Sequence, residues 1–389
     1  MTIKEICRRN VEATEEVLLG LSHKIHADPE LGFEEHRACR LLSTELEQRG
    51  FTLERGLAQM PTAFRATIGE GPLVVGVCVE YDALPGIGHA CGHNVIAAAG
   101  MTAAFGLAPL VDQLGIKLVV FGTPAEENGG GKVVLLEAGE FDGLDLAMMV
   151  HPSNREQSRS HCLAIGDLRV RFLGKNAHAS AAPYEGINAG DAVTVAQVAV
   201  GLLRQQLHPG DQVHSIVSHG GEAANVIPAY TELVFNFRSP KLETLDRLEQ
   251  RIRACVEGAA TATGCTFEAS SEAPAYSEFN NNDVLSDLYR ANAESLGRVF
   301  DHEDDTSPVG STDMANVSRI VPAIHPMLDI DCGTAVNHQP EFAAHCVSAS
   351  ADRAVIEGGL SMAWTIIDVA TDEEARRSFR TNRQHSQAD

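Results

Sequence analysis

Basic residues are scarce in this chain of 389 residues: 30 Lys and Arg stand against 53 Asp and Glu, for a formal net charge of −23. So acidic a protein argues against nucleic acid or an anionic membrane surface as a partner. No CxxC pair occurs, and the nine cysteines are an odd number, so a disulfide framework is not expected in a chain this long. Cys39 in CRLLSTEL and Cys255 in RIRACVEG fall in helical patterns and read as buried reduced thiols. A reducing, cytoplasmic setting follows. The opening residues MTIKEICRRNVEATEE are polar and amphipathic, without the apolar core of an export signal, and no stretch approaches the roughly 18 apolar residues of a membrane span. Internal repeats and low-complexity blocks are absent as well. The glycines at 129 to 131 lack the lysine and serine pattern of a phosphate-binding loop, and read instead as a turn into a helix.

What is present begins with size. The chain is longer than the ~250–300 residues at which a single core stops growing, so two domains are expected. Hydrophobic residues at 44% and charged residues at 21% are ordinary for a globular protein. Residues 3 to 25 and 33 to 49 read as amphipathic helices, broken by Asp28-Pro29 and Gly32. LVVGVCVEY (73 to 81), KLVVFGTP (117 to 124) and DLAMMV (145 to 150) are near-continuous apolar runs of strand length, as in central strands covered on both faces. Helical patterns lie between them. The fold class is therefore α/β, with a doubly wound first domain on a mainly parallel sheet.

After about residue 165 the pattern changes to a βαββαβ-like order, with DLRVRFLGKNAH, QVHSIVSHGG and TELVFNFRSP as strands. That order suggests a small inserted α/β sandwich. The expected layout is a doubly wound domain over 1–165 and 277–370, an insertion over 166–276, and a frayed polar tail over 371–389.

The chemistry lies in four short segments: GHACGHN (88–94), TPAEEN (123–128), VHPS (150–153) and NHQPEF (337–342). Cys91, His93, Glu127, His151 and His338 offer one thiolate, three imidazoles and a carboxylate, a set suited to one or two zinc-like ions. Glu126 is left over beside a ligand carboxylate, as a metal-assisted hydrolase requires of its general base. The first three segments each follow an expected strand, where the catalytic loops of an open α/β sheet belong. Any one histidine or cysteine alone is better read as a surface or core residue; His23, His26, His36 and His385 stay in that class.

Those segments, together with GKNAHASAAPYEGINA, NVIP, FNFRS and GSTD in the same order, resemble the dinuclear zinc amidohydrolases and peptidases that include aminoacylase, p-aminobenzoyl-glutamate hydrolase and the plant indole-acetyl-amino acid hydrolases. The cysteine in ACGHN is similar to the branch of β-alanyl-lysine dipeptidase-like proteins. The resemblance implies two divalent ions in each subunit, with Cys91 as the bridge and His93, Glu127, His151 and His338 completing the set. Zinc is the expected metal, with manganese, cobalt or nickel able to replace it. It implies Glu126 as the base and Asp82, in EYDALP, as the aspartate that orients a ligand. Glu80 stands where other branches carry a metal-binding histidine and is not counted as a ligand.

The resemblance further implies that the insertion is a lid and dimerisation domain forming a homodimer, and that His178 reaches the neighbouring protomer's site to stabilise an oxyanion. Asn225 and Arg238 would bind the substrate's carbonyl and carboxylate, and Ser311, Thr312 and Asp313 would line the same pocket. The implied reaction is hydrolysis of the amide bond of an N-acyl or N-aroyl amino acid; a dipeptidase or carboxypeptidase activity with the same machinery is the alternative. The partner is then a small-molecule amide or dipeptide.

Overall fold

A computed structural model describes residues 1–301 and 310–386. The chain divides into two compact units, Met1–His161 with Phe279–Asp389, and Cys162–Glu278.

The first unit is built on a six-stranded sheet in the order Thr52–Arg55, Phe64–Ile68, Ile116–Gly122, Leu73–Val79, Leu146–Met148, Ala323–Ile324. The last four run parallel, while the first two pair antiparallel. Val77 faces Val120 on one side and Met148 on the other, and all three are fully buried. The apolar runs of the sequence are thus central strands covered on both faces, which β-branched side chains suit. Every residue of the helix His93–Leu107 is buried. A small parallel pair, His151–Ser153 with Met327–Asp329, extends the architecture past Met148.

Three local expectations need correction. The first amphipathic stretch is two helices, Ile3–Glu12 and Glu15–Ala27, interrupted where Thr14 leaves the helical region. Two helical segments, His93–Leu114 and Ala349–Thr371, are long and apolar enough to cross a membrane by length and composition; 89% and 78% of their apolar windows are buried within the protein, as in core helices. Residues expected as a frayed tail form the helix Glu373–Ser386, anchored by buried Phe379 and by Arg376 donating to the Gly115 and Ala370 carbonyls. The final three residues of that expected tail lie outside the described residues.

The second unit is a four-stranded antiparallel sheet in the order Thr266–Ser270, Ala164–Leu173, Tyr230–Ser239, Gln212–His219. Helices Ala189–Leu203 and Leu242–Thr263 pack on one face, where Leu168, Val170, Phe235 and Phe237 meet Ala196, Leu248 and Ile252. The segment expected as one strand over 167–178 is two. Ala177–His178 leaves the sheet and pairs instead with Val226–Ile227 in a separate ribbon.

Candidate metal centre

Parallel strands deliver their following loops to one edge of the sheet. Asp82 lies just past Leu73–Val79, Glu126 and Glu127 past Ile116–Gly122, and His151 past Leu146–Met148. Cys91 and His93 open the buried helix from the same side, and His338 arrives from the loop before Pro340–His345.

Ligand atoms from these residues fall into two sets, each with all its atoms within 4.8 Å of one another: Cys91, His93 and His151, and Cys91, Glu127 and His338. Cys91 belongs to both. Its Sγ is 3.4 Å from His151 Nε2. His151 is fixed by Nδ1 donating to the Pro152 carbonyl at 2.8 Å, which leaves Nε2 free to serve as ligand. Burial pushes this imidazole down to about 4, so it stays neutral. Across the centre, His338 Nε2 is 3.3 Å from Glu127 Oε2.

Asp82 ties two of these ligands together. Its Oδ1 accepts from His93 Nδ1 at 2.9 Å, and its Oδ2 accepts the Glu127 amide at 3.0 Å. Burial alone would raise the Asp82 carboxyl, but the His93 ring and the Glu127 amide hold it below the usual range. His93 therefore presents Nε2 toward Glu127 and Glu126, 3.8 and 3.9 Å away. Burial and the neighbouring Glu80, Glu127 and Asp313 push the Glu126 carboxyl well up.

Two strained backbone positions lie at the same place. Ala125 has φ 58° and His338 φ 69°, conformations that L side chains adopt at a cost of order 1–3 kcal/mol. Each is held by specific bonds: the Ala125 amide donates to Glu35 Oε1 at 2.8 Å, and the His338 amide to the Ala90 carbonyl at 2.8 Å. Glu35 is fully buried, and burial next to Asp82 raises its carboxyl to about 7. The glycines after Glu127 do turn the chain into a helix: Gly130 has φ 62°, and a Cβ on Gly131 would lie 1.9 Å from the Pro124 carbonyl oxygen.

These residues fit a divalent ion by donor chemistry, soft thiolate and imidazole with one carboxylate. They also fit by what they leave unmet: His93 Nε2 and Glu127 Oε1 are buried with no hydrogen-bond partner. Orphaned buried polar atoms of this kind call for an explanation, and a bound cation supplies one.

Sequence reasoning passed over two residues here. Lys132 is fully buried and bonds both Glu80 and Asp313. A lysine in the opening turn of an apolar helix, where the dipole disfavours a cation, was its available signal. Glu35 left no signal, because only the fold brings it to Ala125.

Of the GSTD residues, Asp313 is fully buried with its oxygens engaged by the Lys132 ammonium and amide, and Thr312 accepts from the Met314 amide. Ser311 is half-buried. In the second unit, His178 is exposed, and its Nδ1 accepts from the amides of Ser180 at 3.3 Å and Ala181 at 3.2 Å. That assigns the proton to Nε2 and leaves it available as a donor. Asn225 is exposed next to it, its carbonyl accepting the Ala179 amide. Arg238 is half-buried in the strand Tyr230–Ser239, across from Ile165 and Gln212.

Comparison with known proteins places this arrangement. A family profile described as the peptidase dimerisation domain matches residues 164–263. The chain is 39% identical over 407 aligned residues to the Xaa-Arg dipeptidase of Mus musculus, covering 99% of this chain and 94% of that protein. It is 31% identical to a component of the p-aminobenzoyl-glutamate hydrolase of Escherichia coli strain K12, covering 72% of this chain and 63% of that protein. A Bacillus subtilis structure described as a dinuclear metal binding peptidase from the M20 family shares the fold, with TM-score 0.68, 22% identity, and coverage of 92% of this chain and 99% of that one.

Proposed function

This chain belongs to the M20 peptidase family of dipeptidases and amidohydrolases, and we propose that it hydrolyses the amide bond joining an acyl or aminoacyl group to a C-terminal amino acid. The observation that carries the reading is the sharing of Cys91 between two donor sets, with Glu126 beside them. Cys91, His93, Glu127, His151 and His338 would hold a pair of divalent ions, and such ions would supply Lewis acidity toward the scissile carbonyl and lower the pKa of a water toward about 7. Zinc suits the thiolate better than magnesium does.

The protein's own groups do the rest. Glu126 accepts the proton of the attacking water and hands it to the departing amine nitrogen. Asp82 keeps the His93 ring and the Glu127 loop in register for the metals. The Nε2–H of His178 holds the developing oxyanion, while Asn225 and Arg238 receive the substrate's carbonyl and carboxylate. Ser311 lines the pocket, and Thr312 and Asp313 support its wall. Water is consumed, one C–N bond breaks, and no covalent intermediate with the protein forms.

We read the protein as a homodimer through its inserted unit. Gln212–His219 is an edge strand of its sheet, and Ile216 on it is 65% exposed. On the helix Ala189–Leu203, Val195, Val198 and Leu202 recur at helical spacing and are exposed too. An unpaired edge beside an apolar stripe is a pairing surface. A two-fold dimer would let His178 of one chain serve the metal centre of the other. The nine free thiols suit a reducing cytoplasm.

For substrate, the 39% identity to Xaa-Arg dipeptidase over nearly the full chain favours a dipeptide over an N-acyl amino acid. Rates on N-acetyl, N-aroyl, β-alanyl and Xaa-Arg substrates, with and without chelator, test this. Chelator-resistant turnover would overturn the metal mechanism, and a preference for N-acetyl or N-aroyl substrates would overturn the dipeptidase reading alone.

A further inference from the structure

Beside the two sets that share Cys91 lies a third. A carboxylate oxygen of Glu80, His93 Nε2 and a carboxylate oxygen of Glu126 also come within 4.8 Å of one another. Glu80 and His93 are fully buried. Glu80 Oε2 and His93 Nε2 stand 3.5 Å apart, and neither has a hydrogen-bond partner. By composition this corner is rich in hard oxygen donors, of the kind manganese or magnesium takes more readily than zinc. It has the geometry of a ligand set but one feature the other two lack.

That feature is Lys132. Its ammonium bonds Glu80 Oε1, and Asp313 Oδ1 at 2.6 Å, while its backbone amide donates to Asp313 Oδ2 at 2.8 Å. A buried ammonium is costly unless opposing charges and hydrogen bonds compensate it; here two carboxylates do so. The same cation takes one of the two oxygens Glu80 could offer a metal. It also supplies the positive charge that Glu80, Asp313 and Glu126 would otherwise draw from solvent.

We propose that Lys132 is a built-in counter-cation that keeps Glu80 out of the metal-ligand set, confining divalent ions to the two donor sets that share Cys91. The inference rests on reading those two sets as the metal sites. It makes Lys132 a determinant of metal number and metal choice, acting through Glu80, without touching the substrate.

The test is metal counting on purified protein stripped and reloaded separately with Mn2+ and Zn2+, with elemental analysis after gel filtration. Lys132→Met should retain one further equivalent of Mn2+ per chain, or exchange zinc for manganese with a preference raised at least about tenfold, the tenfold scale at which carboxylate and charge changes near a site act. Combining Lys132→Met with Glu80→Gln should return the count and the preference to wild type. A folded Lys132→Met protein, with unchanged circular dichroism, that keeps the wild-type equivalents and zinc-to-manganese preference overturns the proposal.

Should Lys132→Met fail to fold, Glu80→Gln alone decides, since the Lys132–Asp313 pair survives in it. It must keep the wild-type metal count; loss of an equivalent would show that Glu80 is a ligand and sink the idea. The underlying metal reading fails differently. It requires that Cys91→Ala lose metal while Lys132 is intact, and that outcome is independent of anything done at Lys132.

Discussion

The two units of this protein use their backbone and charge in opposite ways. All the non-glycine residues with positive φ among the described residues, Phe33, Ala58, Gln59, Ala125, Asp331 and His338, belong to the first unit, and two of them, Ala125 and His338, lie in the segments that carry metal-donor residues. The second unit has none, and one of its charge clusters lies along a sheet face, Glu232 with Arg169 and Arg171. The first unit accepts local strain and unmet polar atoms in order to converge its donors. In the second, a regular strand edge stands with an apolar stripe on the helix Ala189–Leu203, and His178 is among its exposed histidines. The contrast teaches that the donor residues are concentrated in one unit, while the other offers the surface proposed for pairing.

The largest effect is expected at Glu126. Glu126→Gln keeps size and hydrogen-bonding shape but cannot accept a proton, so turnover should fall at least roughly 100- to 10,000-fold while metal content stays at the wild-type level. Kinetics paired with elemental analysis check this. Loss of an ion, or near-normal activity, would reassign the residue.

Next in size is His178, where the second unit would reach into the chemistry. His178→Ala should lose about 100- to 1,000-fold in kcat, as removal of an oxyanion donor does, with its metal retained. Mixing this inactive protein with inactive Glu126→Gln, under conditions that exchange protomers, should restore activity. In the mixed dimer one site combines an intact Glu126 with an intact His178, so half the wild-type rate per mixed dimer is the ceiling. A mixed dimer that stays dead, or a fully active monomer, would place His178 in cis or outside the mechanism and dissolve the division of labour.

The same contrast explains what could be read from residues alone. The donors of the first unit announce themselves, because thiolate, imidazole and carboxylate at the ends of apolar strand runs have few other reasons to recur together. Asp82 was visible only through the resemblance, since one aspartate just beyond a strand is unremarkable until its two hydrogen bonds are seen. Lys132 and Glu35 act across 52 and 90 positions of chain, onto Glu80 and Ala125, and no local pattern encodes such a contact. In the second unit the alternating strands were legible from period-2 patterning. The departure of Ala177–His178 into its own ribbon was not, because periodicity carries no information about which strand a residue pairs with. The terminal helix left little signal because its apolar residues are few and Arg376, which helps Phe379 to anchor it, bonds a carbonyl at Gly115, 261 positions away in the chain.

A smaller effect is expected at Asp82, which sharpens the first side of the comparison. Asp82→Asn keeps one acceptor for His93 but loses the charge that binds ring and loop together. Metal affinity should weaken about 10- to 100-fold, measured by competition with a chelator, with kcat largely recovered when metal is in excess. An Asp82→Asn protein that binds metal as tightly as wild type would reduce the aspartate to packing.

The smallest effect tests whether charge in the second unit is purely architectural. Glu232 accepts from Ser218 Oγ at 2.7 Å, from Tyr230 at 3.0 Å and from Arg171 at 3.1 Å, and also pairs with Arg169. Those hydrogen bonds, that of Ser218 foremost, pull its carboxyl from the ordinary 4.5 down to about 2. A carboxylate whose pKa is lower in the folded than in the unfolded chain adds stability above the unfolded value and loses it as pH falls toward the folded one. Glu232→Gln should therefore cost about 1 kcal/mol at neutral pH. Wild type and variant should converge in stability as pH drops from 4.5 toward 2. Urea unfolding at a series of pH values reads the difference directly. Activity per folded dimer and metal content should not move, since Glu232 lies on the sheet of the inserted unit and carries none of the donors. A pH-independent gap would mean that the side chain contributes by packing alone, and a loss of activity without a loss of stability would mean that the second unit's charges serve the reaction after all.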